Sequence, residues 1–173
     1  MPELIAPTTR LHAAFLDCCA DWGPDRPHED GFGLAPGDDV ESPHGFAAWV
    51  ADRNHLAHRP GEPCPNERHA SARWIVEDGR VQGGIALRHL FDDDLGQIGY
   101  GVRPSARRRG LASWALAEML IEARAILDAD RVLVPCLDDN VASARTIERN
   151  GGVLEGLRET AHGPLRRYWI PLR

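Results

Sequence analysis

The strongest hydrophobic pattern in the sequence starts after residue 110 and continues to residue 127. Apolar side chains recur there at helical spacing, at Leu116, Met119, Leu120, Ala123, Ile126 and Leu127. The spacing places them on one face, so the pattern predicts a long helix with one buried side. Three further helices are predicted, over residues 9–21, over residues 45–56, and over a segment that begins after Asp139 or Asn140 and ends at Gly151.

Strand-like patterns fill much of the chain between these helices. Two of them, within residues 72–90, flank the dipeptide Asp78-Gly79, which fits a two-residue hairpin turn with positive φ at both positions. Others cover residues 95–102, 131–137, 153–159 and 166–172. This order predicts an α+β fold, in which a mixed, mostly antiparallel central sheet is flanked by helices in an α/β/α arrangement.

Length and composition favour one globular domain in a reducing compartment. A chain of 173 residues fits a single core, and its net charge of −6 argues against a nucleic-acid partner. It has no apolar run of the roughly 18 residues that a membrane span needs and no signal-peptide pattern, so we expect a cytoplasmic protein without a membrane partner. The cysteines, at positions 18, 19, 64 and 136, are predicted to be free thiols.

The chain contains no lysine, and all 20 of its basic residues are arginine. This excludes a phosphate-binding lysine, a Schiff-base lysine and a lysine nucleophile. Arg107, Arg108 and Arg109 are predicted to lie in the first turn of the long helix, where the helix dipole disfavours cations. A bound anion would remove this conflict, because backbone N–H groups and guanidinium groups would converge on it, and Gly110 would let it approach the backbone. We therefore expect a phosphate ligand.

The spacing R-x-x-G-x-A at Arg107, Gly110 and Ala112 resembles the pyrophosphate signature Q/R-x-x-G-x-G/A of the GNAT superfamily of N-acetyltransferases. As in that family, it follows a strand that ends in V-x-P, here at residues 102–104. A second segment resembles the family's N-x-x-A-x-x-x-Y-x-x-x-G helix, with matches at Asn140, Ser143, Ile147 and Gly151. The chain is further similar to a bacterial subgroup that carries the motifs G-x-I-G-Y-x-V-R-P-S and N-G-G.

The resemblance covers about residues 74–172 and has structural and functional implications. It implies one acyltransferase domain over residues 1–173, with a helical arm and acceptor-side loops over 1–70 and a coenzyme A (CoA)-binding core over 72–173. It implies a splay between the strands around 97–103 and 131–137, and acetyl-CoA as the acyl donor. The residues implied to bind acetyl-CoA are Tyr100, Gly101, Val102, Arg107, Arg108, Arg109, Gly110, Leu111, Ala112, Asn140 and Ser143.

The third strand has one face with large side chains and one with almost none. Ile98, Tyr100 and Val102 share the first face, whereas Gly99 and Gly101 leave the other as bare backbone. In the family the pantetheine arm pairs with this strand, and a backbone N–H polarises the thioester carbonyl. A β-bulge or close packing is the alternative explanation of the glycines.

The chain departs from the family at the groups that usually handle protons. Ile147 occupies the position of the family's catalytic tyrosine. Gln97 and Pro135 occupy positions where a general-base glutamate is common in the family. Tyr168 and Cys136 are the candidates for proton transfer, although a core tyrosine and a buried thiol are the competing interpretation of both.

Other polar clusters give weaker evidence of a functional site. His55, His58, Cys64 and His69 offer zinc-type ligands but match no zinc spacing, so no metal is expected. Asp138, Asp139 and Glu41 would attract a cationic amine, although helix capping explains the first two equally well, and 92–94 reads as a solvated turn.

Two functions from different classes follow. The first is an acetyl-CoA-dependent N-acetyltransferase that acts on a primary amine of a small molecule or peptide. The alternative is a non-catalytic acyl-CoA-binding or regulatory module of the same fold. A nucleotide-phosphate binder of another fold is disfavoured by the missing lysine. A homodimer is one assembly open to the chain.

Overall fold

The computed structural model describes residues 1–23, 31–57, 70–89, 95–161 and 163–173. The elements in chain order are β1 (Glu3–Ile5), α1 (His12–Asp21), α2 (Pro43–His55), β2 (Ala70–Glu77), β3 (Arg80–Arg88), β4 (Ile98–Val102), α3 (Leu111–Ile126), β5 (Arg131–Leu137), α4 (Val141–Arg149), β6 (Val153–Thr160) and β7 (Gly163–Pro171). The four predicted helices and six predicted strands are thereby confirmed. Strand β1, which is only three residues long, was not predicted.

The strands form two sheets in which every described pairing is antiparallel. The first has the order β1-β2-β3-β4 and the second the order β5-β7-β6. The β2–β3 hairpin turns at Asp78 and Gly79, whose φ angles of 51° and 74° match the predicted two-residue turn. The α+β fold with helices flanking antiparallel strands is confirmed.

The two sheets meet at Gln97 and separate beyond it. The Gln97 N–H donates to the carbonyl oxygen of Leu133 at 2.8 Å, and the Leu133 N–H donates to Gln97 Oε1 at 3.2 Å. Past this point β4 is the edge of its sheet and β5 the edge of the other. The predicted splay between these strands is therefore present. Gln97 occupies a position where a general-base glutamate is common in the family, and here it joins the two sheets.

Two hydrophobic cores cover the two faces of the four-stranded sheet, because its side chains alternate. Ile75 and Ile85 face a core built with α3 and α4. Trp74 faces a second core, formed with α1 and α2, in which it stacks on Phe15 at a centroid distance of 5.3 Å. The N-terminal helices are thus packed onto the sheet by aromatic side chains.

A buried arginine fixes α1 to the end of β4. Arg103 is 3% exposed, and its Nη1 and Nε donate to Asp17 at 2.7 Å and to Asp21 at 3.1 Å. Asp21 also accepts the backbone N–H of Ser105 at 3.0 Å. The Arg103 guanidinium lowers the pKa of Asp17, and the Ser105 N–H lowers the pKa of Asp21. The chain therefore leaves β4 in a fixed direction.

Some predictions concern single residues or the whole chain. The predicted free thiols are confirmed for Cys18 and Cys136, whereas Cys64 lies outside the described residues. Within the part of the chain that the structure describes, no helix has both the length and the apolar character that crossing a bilayer requires.

Candidate active site

The three consecutive arginines lie in a loop in front of α3, which corrects the prediction that they form its first turn. A short 3-10 turn at Pro104–Ala106 leads into Arg107, and Arg108 has a φ of +61°. Gly110 has a φ of +80° and is the N-cap, so α3 begins at Leu111. Left-handed conformations at Arg108 and Gly110 are incompatible with a helix, and they set its start.

The N-terminus of α3 has backbone donors and no side-chain cap. The first N–H groups of any helix have no partner within it, and Gly110 has no side chain to accept them. A Cβ built on Gly110 would meet no atom within 4 Å. The space at the Gly110 N-cap is therefore open, as an anion-binding N-terminus requires.

The three guanidinium groups differ in what they contact. Arg107 Nε donates to the carbonyl oxygen of Val102 at 3.1 Å, and Arg109 Nη2 forms an ion pair with Glu77. Arg108 is exposed, and its side chain has no hydrogen bond or ion pair within the described ranges. Two arginines thus tie the loop to β4 and β2, and the third projects into solvent.

Tyr100 and Ser143, predicted from separate motifs, meet across the splay. The Tyr100 hydroxyl lies 2.8 Å from Ser143 Oγ and 3.3 Å from the Ser143 carbonyl oxygen. Asn140 lies next to them because its Oδ1 accepts the Ser143 N–H at 3.1 Å and caps α4. The structure therefore brings the β4 and α4 candidates together, with the Asn140 side chain used as a helix cap.

The two candidates for proton transfer lie on the second sheet. Cys136 is 7% exposed and Tyr168 is 1% exposed, and burial raises the pKa of both side chains. Both are therefore protonated near neutral pH, which suits an acid and not a base. Tyr168 donates its hydroxyl proton to Glu148 on α4 at 3.0 Å. Neither the spacing of Glu148 nor its surroundings in the sequence indicated that contact.

The bare face of β4 is partly covered. A Cβ built on Gly31 would lie 2.1 Å from the Gly84 carbonyl oxygen and 2.9 Å from the Gly101 nitrogen. The segment around Gly31 therefore packs against the sheet at Gly101, which is the close-packing alternative to a ligand on that face. Access to the β4 backbone instead runs along its free edge in the splay.

Ile147 is fully buried in the core beneath α4 and has no group that exchanges a proton. Pro135 packs against the sheet junction, since a Cβ on Gly96 would lie 2.3 Å from Pro135 Cδ. Both residues serve packing, so neither takes over the proton-transfer role of the family's tyrosine or glutamate.

The other polar clusters have ordinary partners or lie elsewhere. Asp138 pairs with Arg166 at 2.7 Å and, with Asp139, lines a shallow surface cavity of about 230 Å³. No group of three His, Cys, Asp or Glu side chains among the described residues is placed to hold a metal ion. His58, Cys64, His69 and residues 92–94 lie outside the described residues.

The sequence matches a family model described as the acetyltransferase (GNAT) domain over residues 25–153. This match covers most of the chain, and the chain belongs to the GNAT acetyltransferase family. No curated protein matches the sequence in the corresponding search.

Solved structures with the same fold include several acetyltransferases. RimL, a ribosomal L7/L12 alpha-N-protein acetyltransferase, superposes with a TM-score of 0.72 at 20% identity, over 98% of this chain and 93% of its own. In that structure the bound CoA forms a disulfide with a cysteine of RimL. Mycobacterium smegmatis RimJ in complex with CoA-disulfide has a TM-score of 0.73 at 21% identity, over 98% and 81% of the chains. The microcin C7 self immunity acetyltransferase MccE, in complex with acetyl-CoA and AMP, has a TM-score of 0.69 at 15% identity, over 98% and 92%.

Proposed function

We propose that this protein transfers the acetyl group of acetyl-CoA to a primary amine of a small molecule or peptide. The observation that carries the proposal is the uncapped, open N-terminus of α3, which follows the free edge of β4 after the arginine loop. A helix N-terminus of this kind binds a diphosphate, and a free strand edge pairs with an extended amide chain. CoA contains a diphosphate followed by an amide-containing arm. The proposal treats residues 1–173 as one domain, with 1–70 on the acceptor side.

In this proposal the donor lies along the splay. The N–H groups of Gly110, Leu111 and Ala112 and the Arg108 guanidinium hold the diphosphate, with Arg107 and Arg109 shaping the loop. The edge of β4 at Tyr100, Gly101 and Val102 pairs with the pantetheine arm. Ser143 and Asn140 bound the opposite wall, where Ser143 is held by Tyr100.

The reaction is direct acyl transfer. The amine nitrogen forms a bond to the thioester carbonyl carbon, the C–S bond breaks, CoA leaves as the thiolate, and the proton on nitrogen passes to solvent. A β4 backbone N–H that donates to the carbonyl oxygen stabilises the charge that develops there. Removing one such donor typically costs roughly 3 to 4 kcal/mol of barrier.

Tyr168 and Cys136 are assigned to proton transfer toward the thiolate, since burial keeps both protonated. The disulfide between CoA and a cysteine in RimL supports a cysteine near the thiol end of CoA in that protein. In this chain Cys136 lies near the end of β5, the strand at the edge of the second sheet that borders the splay. Incubation with CoA disulfide should break its S–S bond, join one CoA to Cys136 as a mixed disulfide and release the other CoA as free thiol, and Cys136→Ser should not accept a CoA.

The donor assignment is tested by thermal unfolding with acetyl-CoA, CoA and ATP. A ligand that binds only the folded protein stabilises it by about 2.7 kcal/mol at 100 times its dissociation constant. We expect a rise in Tm with both coenzymes and a smaller one with ATP. No rise with either coenzyme, or a larger rise with ATP, contradicts the proposal.

The buried Ile147 favours a second candidate, a non-catalytic acyl-CoA-binding module, because the family's tyrosine is absent there. A screen of amines for release of free CoA thiol separates the two. Turnover with any amine establishes the enzyme, whereas coenzyme binding with only background hydrolysis across the panel favours the module.

A further inference from the structure

A cavity of about 110 Å³ lies on the α2 side of the four-stranded sheet. Its floor consists of three alanines, Ala70 and Ala72 on β2 and Ala86 on β3. Ala86 is paired with Gly99 across the β3–β4 ladder, so the floor continues onto β4 without a large side chain. The small side chains leave room there for a ligand group.

Two arginines line this cavity. Arg88, the last residue of β3, is half-buried and donates to the carbonyl oxygen of Leu95 at 3.3 Å. Its guanidinium nitrogens lie 3.6 Å from the position of a Cβ built on Gly99. In the described ranges no carboxylate lies within ion-pair distance of it. Arg88 therefore brings a positive charge to the surface of β4.

Arg53 reaches the same cavity from α2. Its Nη1 donates to the Gly33 carbonyl oxygen at 3.0 Å, and its Nη2 pairs with the exposed carboxylate of Asp52 at 2.7 Å. Its Nε is buried and has no hydrogen-bond partner among the described residues. Buried donors are normally satisfied, so Arg53 Nε retains the capacity to donate one further hydrogen bond at this cavity.

We propose that this cavity binds an anionic group of the acceptor, so that the amine to be acetylated belongs to a molecule that also carries a carboxylate or a phosphate. The inference rests on the proposed function, because it uses β4 as the strand that holds the acetyl thioester. Guanidinium groups bind such oxyanions with paired, charge-assisted hydrogen bonds. Cationic acceptors are disfavoured by the charge of Arg88, because Arg53 is paired with Asp52 and no carboxylate among the described residues pairs with Arg88.

The opposite interpretation, in which acidic residues attract a cationic amine, has less support. Asp138 is neutralised by Arg166. Asp138 and Asp139 also line a cavity on the second sheet, beside Leu137 and Pro164, and not the one on the α2 side of β4.

The test compares paired acceptors that do or do not carry an anionic group. Phosphoethanolamine is paired with ethanolamine, and the C-terminally amidated peptide Ser-Asp-Glu-Ala with the amidated Ser-Asn-Gln-Ala, so that the pairs separate a phosphate from a carboxylate source. We expect kcat/KM to be about tenfold or more higher for the anionic member of at least one pair, mainly through KM. Equal rates, or a preference for neutral members or for a lysine-rich peptide, overturn the inference.

Variants then assign the preference to the cavity. Arg88→Gln should reduce the anionic-to-neutral ratio to near one, and Arg88→Lys should restore part of it. Arg80→Gln is the matched control, because Arg80 begins the strand that Arg88 ends and is exposed. A ratio that is unchanged in Arg88→Gln, or lowered equally in Arg80→Gln, contradicts the assignment.

A binding measurement keeps this inference separate from the proposed function. Calorimetric titration of the CoA-saturated protein with the same four compounds should show tighter binding of the anionic members, lost in Arg88→Gln, whether or not turnover occurs. Turnover of neutral amines without anion preference refutes only the acceptor class. Absence of coenzyme binding refutes the proposed function.

Discussion

The starts of α3 and α4 differ in a way that separates a ligand site from a structural helix end. At α4 the Asn140 side chain caps the Ser143 N–H at 3.1 Å. At α3 the N-cap is Gly110, no side chain caps the helix, and the space above it is open. The cap at α4 satisfies the Ser143 N–H, whereas the uncapped end of α3 beside the arginines leaves its backbone donors open to an anion. The comparison supports the proposal that α3 binds the donor, and we expect Asn140 mainly to stabilise α4.

The largest expected effect is at Gly110. Gly110→Val places a branched side chain where the diphosphate is proposed to lie, and we expect coenzyme affinity to fall by more than about 100-fold, which removes the thermal shift. Gly23→Val is the matched control, because Gly23 has a φ of +79° and equally open surroundings. Both glycines have a φ near +80°, so valine is strained at either position, and a coenzyme shift retained in Gly110→Val would disprove the loop assignment.

A second effect concerns the approach to α3. Arg103→Met removes the buried guanidinium that holds Asp17 and Asp21, and we expect Tm to fall by roughly 5 °C or more at neutral pH. Because the pKa values of both carboxyls are lowered in the folded state, their stabilisation is present above the unfolded value of 3.8 and is lost as the pH falls below it.

Urea unfolding from pH 7 to pH 2 measures this dependence. The wild type should lose stability as the carboxylates are protonated, and the Arg103→Met profile should be flatter. Parallel profiles would show that Arg103 is not the main cause of the lowered pKa of Asp17.

At Asn140 the expected effect is smaller and lies in stability. Asn140→Ala should lower the free energy of unfolding by about 1 kcal/mol through loss of the helix cap, and Asn140→Asp should retain most of it. Coenzyme affinity should change less than threefold in both variants. A tenfold loss of affinity in Asn140→Asp would instead support the direct coenzyme contact that the family resemblance implies.

The smallest expected effect is the coupling between Tyr100 and Ser143. In a double-mutant cycle, Tyr100→Phe and Ser143→Ala should couple by about 0.5 to 1 kcal/mol in unfolding free energy, as expected for one hydrogen bond. Additive effects would show that the 2.8 Å contact contributes nothing measurable.

The elements that sequence reasoning located are those with strong local signals. The apolar face of α3 and the Asp78-Gly79 turn follow from periodicity and from φ preferences of adjacent residues. The start of α3 was misplaced because its limit is set by the left-handed conformation of Arg108, a residue type that gives no such signal. Strand β1 was missed because three residues show no alternation and are fixed by pairing with β2.

The site was predictable where one motif covers it and not where distant segments meet. The loop at Arg107–Ala112 and the Asn140 helix start each lie within a few residues. The cavity needs Arg53 and Arg88, which are far apart in the chain and are brought together by the packing of α2 on β2 and β3. The hydrogen bond from Tyr168 to Glu148 likewise depends on how α4 lies over the second sheet.

The anchoring of the arginine loop has a kinetic consequence. Arg107 is held by the Val102 carbonyl and Arg109 by Glu77, so the loop is already in one arrangement before the donor arrives. A preformed loop avoids the conformational entropy cost and the slow isomerisation of a loop that folds around its ligand. In stopped flow, coenzyme capture should be a single exponential whose rate constant rises linearly with concentration, without a plateau.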